Sequence, residues 1–172
     1  MRKRCQLIKR LRSVPSSCPQ NQSSHKVFDG SLTKYLFQSK TLGNLDANFN
    51  LFLPPQAYEI KKVPILYFLA GLTCTEDNAA QKGGFFEAAA KEGIAICFPD
   101  TSPRGAKIEG EDDSYDFGSG AGFYVNASKE PWSKHYKVCC HDDLVLAKGQ
   151  SLTADLRIFN SSDVRPCLGG DS

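Results

Sequence analysis

Two short apolar runs, separated by one helix-sized segment, constrain this chain more than anything else in it. Ile65-Leu66-Tyr67-Phe68-Leu69-Ala70 is continuously apolar and stops at Gly71, and Ile94-Ala95-Ile96-Cys97-Phe98 is apolar and stops at Pro99-Asp100. Runs of that length without alternation are the pattern of strands covered on both faces, which parallel sheets produce. Between them, Thr73-Cys74-Thr75-Glu76 has capping-box spacing, with the Thr73 hydroxyl placed for a backbone N–H and Glu76 reaching back. The Gly83-Gly84 pair predicts a break in that helix, Phe85 to Glu92 resumes it, and Gly93 supplies its C-terminal stop. Residues 65–98 therefore read as a strand–helix–strand unit whose crossover should be parallel and right-handed.

The flanks carry less pattern. Phe49, Leu51 and Leu53 alternate ahead of Pro54-Pro55, as in a strand buried mainly on one face. Residues 99–123 run without any period, and loops of that length inside a compact domain are functional or disordered. Phe117, Phe123 and Tyr124 could anchor this one, so an ordered surface loop is the expectation. Pro131 suits the first turn of another helix. The first 25 residues are basic and rich in Ser, Pro and Gln, and no acidic residue precedes Asp29; they read as a disordered leader. The cytoplasm is the expected compartment; the same composition also fits a mitochondrial transit peptide, which makes the mitochondrion the alternative.

Charge excludes some functions. With 21 basic and 19 acidic residues the net charge is +2, too balanced to argue for a nucleic-acid partner. No apolar run approaches the length of a membrane span. The seven cysteines are odd in number and lack CxxC spacing, which indicates neither a disulfide framework nor a zinc ribbon and fits a reducing compartment.

The search for chemistry yields one weak signal. No serine carries the G-x-S-x-G elbow; the nearest, Gly149-Gln150-Ser151-Leu152-Thr153, has Thr in place of the second Gly, and Ser119 has Phe117 and Ala121 at the two positions where the elbow needs Gly. Phosphate-binding loops are absent as well. Glu109, Glu111, Asp112, Asp113 and Asp116 do not have calcium-loop spacing and read as a solvated acidic loop. Cys139-Cys140-His141 lacks a further ligand at suitable spacing, and His25, His135 and His141 read as surface or helix-face residues. What remains is Gly71-Leu72-Thr73, between a strand and a helix start, where free N–H groups and the positive end of a helix dipole could stabilise an oxyanion. Gly71 merely permitting the turn is the equal alternative.

Three long blocks carry a resemblance. Leu69-Ala70-Gly71-Leu72-Thr73-Cys74-Thr75-Glu76-Asp77-Asn78, then Phe98-Pro99-Asp100-Thr101-Ser102-Pro103-Arg104-Gly105, then Ser114 through Ala127 (SYDFGSGAGFYVNA) resemble S-formylglutathione hydrolase, the esterase D family. The resemblance covers about residues 27–137, and residues 26–137 read as the N-terminal part of the domain it implies. It implies a partial α/β-hydrolase fold, namely the N-terminal strands and helix A of a mostly parallel sheet, flanked by disordered tails. It also implies a serine thioesterase that cleaves S-formylglutathione, a glutathione thioester, to glutathione and formate with no cofactor, in a family whose full-length members could form homodimers. In that family the position of Leu72 lends a backbone N–H to the oxyanion hole, and the cysteine corresponding to Cys74 lies close to the active site; Gly71, Thr73 and Cys74 are pocket candidates. The family's Ser, Asp and His triad and its Gly-His-Ser-Met-Gly-Gly elbow have no counterpart here. Residues 138–172 read as out-of-family sequence, and the chain as it stands is expected to be inactive. The alternatives are a non-catalytic interaction module, or a related esterase or acyltransferase of other acyl specificity.

Overall fold

A computed structural model describes residues 19–58, 62–121 and 125–137. Five strands, β1 (Gln20–Val27), β2 (Gly30–Ser39), β3 (Leu45–Leu53), β4 (Ile65–Tyr67) and β5 (Ala95–Pro99), make one sheet in the order β1-β2-β3-β5-β4. Two helices, α1 (Glu76–Lys82) and α2 (Phe86–Glu92), connect β4 to β5, and 3-10 turns occupy Pro55–Tyr58 and Trp132–Lys134. The β4–β5 pair is parallel, as the strand–helix–strand reading requires. The expected mostly parallel sheet is otherwise a mixed one, because β1–β2, β2–β3 and β3–β5 are all antiparallel.

Alternation along β3 and β5 builds two apolar layers. Phe49, Leu51 and Leu53 join Ala95, Cys97, Phe37 and Val63 on one face of the sheet. Phe52, Ile96 and Phe98 lie on the other, under Ala80 of α1 and Ala89 and Ala90 of α2. The one-sided reading of β3 is therefore corrected: the helices cover its second face, so Asn50 and Phe52 are buried too. All five residues of β5 are buried, as expected. β4 is shorter and more open than its run of apolar residues predicts. It ends the sheet among the described residues, only three of its residues pair with β5, and Leu66 and Leu69 are 52% and 54% exposed.

Local signals set the helix boundaries. Gly93 caps α2 at φ +68°, a left-handed conformation that glycine adopts without steric cost. The capping box of α1 is displaced two residues from the predicted one. Thr75 is the N-cap, its hydroxyl accepts the Asp77 N–H at 3.3 Å, and its own N–H donates to Asn78 Oδ1 at 2.7 Å. Thr73 cannot serve, because its backbone is left-handed at φ +64° and its N–H is committed to the Gly120 carbonyl.

β1 starts at Gln20, inside the segment read as a disordered leader, and so corrects that boundary. Its side chains are almost all exposed; the strand is held by the backbone ladder to β2 and by a Ser24–Thr33 hydroxyl pair at 2.9 Å. An edge strand needs a backbone partner, not apolar side chains, and composition does not register that. Residues 1–18, the tail 138–172 with Cys139-Cys140-His141, and the anchors Phe123 and Tyr124 lie outside the described residues.

The long loop after β5 is less of a surface feature than expected, since Asp100 to Pro103, Glu111 and Gly118 are all buried. Glu111 corrects the solvated-loop reading: at 4% exposure it accepts the Tyr136 hydroxyl at 2.9 Å and the Ile108 N–H at 3.0 Å. Glu109, Asp112, Asp113 and Asp116 are exposed. Phe117 stacks edge-on against Trp132, ring centroids 4.9 Å apart. His135 is not a surface residue either; it is 9% exposed, with Nδ1 2.8 Å from the Leu42 carbonyl. The helix expected at Pro131 is only the 3-10 turn Trp132–Lys134.

Candidate active site

The three blocks that carry the resemblance converge on one turn. Residues 71–75 leave the end of β4 and enter α1, and the other two blocks reach them from across the loop layer. The Thr73 N–H donates to the Gly120 carbonyl at 2.8 Å, and the Cys74 N–H closes a turn onto the Gly71 carbonyl at 3.1 Å. Gly120 is in turn fixed by its own N–H, which donates to Ser102 Oγ at 2.8 Å. Arg104 donates from Nη2 to the Cys74 carbonyl at 3.3 Å and from Nε to Asp100. The other oxygen of Asp100 accepts the Ser102 N–H at 3.0 Å, and the Asp100 N–H is tied to the Asn48 carbonyl at 3.0 Å, beside β3. One buried carboxylate thus organises both supports of the turn.

Within that turn the four predicted residues behave differently. Leu72 is 47% exposed, and among the described residues no acceptor takes its N–H. Gly71 is not the permissive residue it was read as. Its φ is not left-handed, and a Cβ built on it meets nothing within 4 Å. The unusual backbone belongs to Thr73, a β-branched residue at φ +64°, where such residues are outliers that cost about 1–3 kcal/mol. Cys74 is partly exposed and borders a groove of about 300 Å³, shared with Phe68, Ala70, Lys82 and Phe85.

The helix-dipole component of the oxyanion reading is corrected. α1 has only seven residues, Thr75 and Asn78 satisfy its leading N–H groups, and the carboxylates of Glu76 and Asp77 sit in its first turn. The N–H of Leu72 is offered by the turn ahead of the helix. The helix itself is pinned to the sheet by Lys34, whose Nζ lies 2.6 Å from both Glu76 Oε1 and Asp77 Oδ2, and by Asn50, whose amide donates to the Glu76 carbonyl at 3.0 Å and to Asp77 Oδ1 at 2.8 Å. Burial pushes the Asp77 carboxyl up, but the bonds from Lys34 and Asn50 and the lysine's charge outweigh it and hold the group below the ordinary carboxylate value. The thiol of Cys97 is raised strongly by complete burial and is no nucleophile. Among the described residues no group of His, Cys, Asp and Glu could hold a metal ion.

Sequence reasoning missed Asp100, Ser102, Arg104 and Gly120. All four lie inside the blocks of resemblance, but no spacing rule links an Asp-x-Ser-x-Arg run to a carbonyl thirty residues earlier.

Comparison with known proteins returns the same family from three directions. The family model described as "Putative esterase" matches residues 39–147. The chain is similar to mouse S-formylglutathione hydrolase, 50% identical over 116 residues that make up 67% of this chain and 40% of that protein. It is similar to the Arabidopsis thaliana S-formylglutathione hydrolase at 52% identity over 109 residues, 63% of this chain and 38% of that one. The solved S-formylglutathione hydrolase of Agrobacterium tumefaciens superposes with a TM-score of 0.65 at 37% identity, over 69% of this chain and 42% of that one. The chain spans about 40% of the length of these relatives.

Proposed function

The chain belongs to the esterase family, and from that membership we propose that it forms the oxyanion side of a serine thioesterase site that cleaves S-formylglutathione to glutathione and formate. The observation that carries this reading is the exposed Leu72 N–H on a turn held from two sides. In the reaction a serine oxygen bonds to the formyl carbon and the carbonyl oxygen becomes an anion, which the Leu72 N–H would meet. Collapse breaks the C–S bond and glutathione leaves as its thiol; water then releases formate from the acyl-serine. One preorganised oxyanion donor is worth about 10²–10³ in rate. The turn alone does no chemistry, because no serine of the 172 residues sits on a G-x-S-x-G elbow. Relatives of other acyl specificity would use the same turn.

Two measurements test this. The 172-residue chain, assayed with S-formylglutathione and with 4-nitrophenyl acetate, is expected to match the buffer rate; turnover that co-purifies with the chain through successive columns overturns the statement that the turn alone does no chemistry. Reading the nucleotide sequence beyond the codon for Lys137 in all three frames is expected to reveal a Gly-His-Ser-Met-Gly-Gly run, and its absence favours a second reading. That reading, an interaction module that pairs with a homologue or with itself, is favoured by the exposed Leu66, Leu69 and Leu72 at the end of the sheet. Size-exclusion chromatography separates the two, since a discrete monomer contradicts the module.

A further inference from the structure

We propose that Arg104, seated on Asp100, is a positioning residue for the oxyanion turn, holding residues 71–74 in the conformation that leaves the Leu72 N–H available; this rests on the reading of the site given above. The turn contains a β-branched residue in left-handed backbone, Thr73 at φ +64°, and such a conformation persists only where the surroundings over-determine it. Two supports come from outside the turn. One is the Gly120 carbonyl, which accepts the N–H of Thr73 at 2.8 Å; the other is Arg104 Nη2, which donates to the carbonyl of Cys74 at 3.3 Å. One holds the strained residue by its own N–H and the other holds the carbonyl of the residue that follows it, so the two flank the Thr73 Cα.

Both supports end on the same carboxylate. Asp100 accepts Arg104 Nε on one oxygen and the Ser102 N–H on the other, and Ser102 Oγ carries the Gly120 N–H. Asp100 is itself buried and tied by its own N–H to Asn48. The sheet therefore dictates the turn through a rigid fork, and a guanidinium is the side chain that can bond a carboxylate and a neighbouring carbonyl from one plane. Arg104 uses two separate nitrogens, Nε for Asp100 and Nη2 for the Cys74 carbonyl, whereas a lysine concentrates its three donors on one nitrogen and does not place donors at both positions in that plane. A purely structural Arg104, pinning only the loop after β5, would affect stability and leave the Leu72 N–H unchanged.

The experiment uses the full 172-residue chain, labelled with ¹⁵N, and formate as the probe, since it is the simplest carboxylate and the product of the proposed reaction. In the wild type, formate is expected to move the Leu72 amide resonance downfield with saturation. In Arg104→Gln the amides of β3 and β5 should keep their positions while the apparent Kd of formate at Leu72 rises at least tenfold, because misplacement by about an ångström is enough to cost that much. Arg104→Lys, which keeps the charge beside Asp100, is expected to behave as Arg104→Gln does, and it carries the comparison should the glutamine variant fail to fold. A Leu72 response that survives unchanged in both variants, or loss of stability with no change at Leu72, overturns the role of Arg104 alone. A wild-type chain whose Leu72 amide ignores formate overturns the oxyanion reading, and the role of Arg104 with it.

Discussion

Phe98 and Leu66 belong to two apolar runs that look alike in the sequence, and truncating each to alanine should separate them by several kcal/mol. Phe98 is 1% exposed on β5, beneath both helices, with the rings of Phe68, Phe85 and Phe86 at centroid distances of 6.0, 6.2 and 6.0 Å. Losing its burial forfeits about 2 kcal/mol of transfer free energy. The ~100 Å³ vacated, at about 24 cal/mol per Å³, adds ~2 kcal/mol where the neighbours do not collapse. Phe98→Ala should therefore destabilise the fold by about 3–5 kcal/mol, a large share of the roughly 5–15 kcal/mol available to a domain. Leu66→Ala, on a half-exposed end strand, should stay within about 0.5–1 kcal/mol. Urea unfolding followed by far-UV circular dichroism measures both, and at a slope of about 2 kcal/mol/M the Phe98 variant should unfold about 2 M earlier. Fluorescence of the single tryptophan, Trp132, in the loop layer against Phe117 and Tyr136, supplies a second probe whose coincidence with the first checks two-state behaviour. Equal losses at the two positions would refute the placement of β4 at the open end of the sheet and of Phe98 under the helices.

Three other perturbations test separate parts of the structure. Asn50→Ala removes a buried amide that bonds the Glu76 carbonyl and Asp77, and should cost about 2 kcal/mol in the same urea titration. The Asp77 carboxyl is held below its reference value of 3.8, so its contribution is present above that pH and is lost as pH falls through the lower folded value; wild-type urea midpoints should drop from pH 5 to pH 3 more steeply than those of Lys34→Met, and parallel curves would contradict the ion pairs. Gly118→Ala places a Cβ 1.9 Å from the Glu111 carbonyl oxygen at φ +68° and should cost more than about 1 kcal/mol, whereas Gly71→Ala meets nothing and should unfold at the wild-type midpoint.

What the sequence made legible follows the distinction between local and distant causes. The β4–β5 parallel pair, the break at Gly83-Gly84 and the stop at Gly93 are written in runs of neighbouring residues and appear where the patterns put them. β1 was invisible because its partner, β2, supplies what its own composition lacks. The capping box slipped from Thr73 to Thr75 because Thr73, its N–H donated to the Gly120 carbonyl far along the chain, is held in left-handed backbone outside cap geometry. β4 and β5 read alike for a related reason. An apolar run reports that a strand can be buried on both faces, and only the neighbours decide whether it is.

The candidate site divides along the same line. Leu72 was reachable from the pattern of strand, glycine and helix start, but the reason first given for it, a glycine hinge and a helix dipole, is replaced in the structure by a strained threonine and a fork on Asp100. That replacement also explains why the resemblance is densest in loops. A strand position such as Ile96 asks only for an apolar side chain of suitable volume, and several residues meet that demand. The turn asks for more: a carboxylate that accepts on both oxygens, a hydroxyl one bond from a glycine N–H, and a planar donor able to bond that carboxylate and a carbonyl together. Few residue types satisfy each requirement, which accounts for Asp100, Ser102, Arg104 and Gly120 falling inside the blocks of resemblance, while the strands beneath them point only to the fold class.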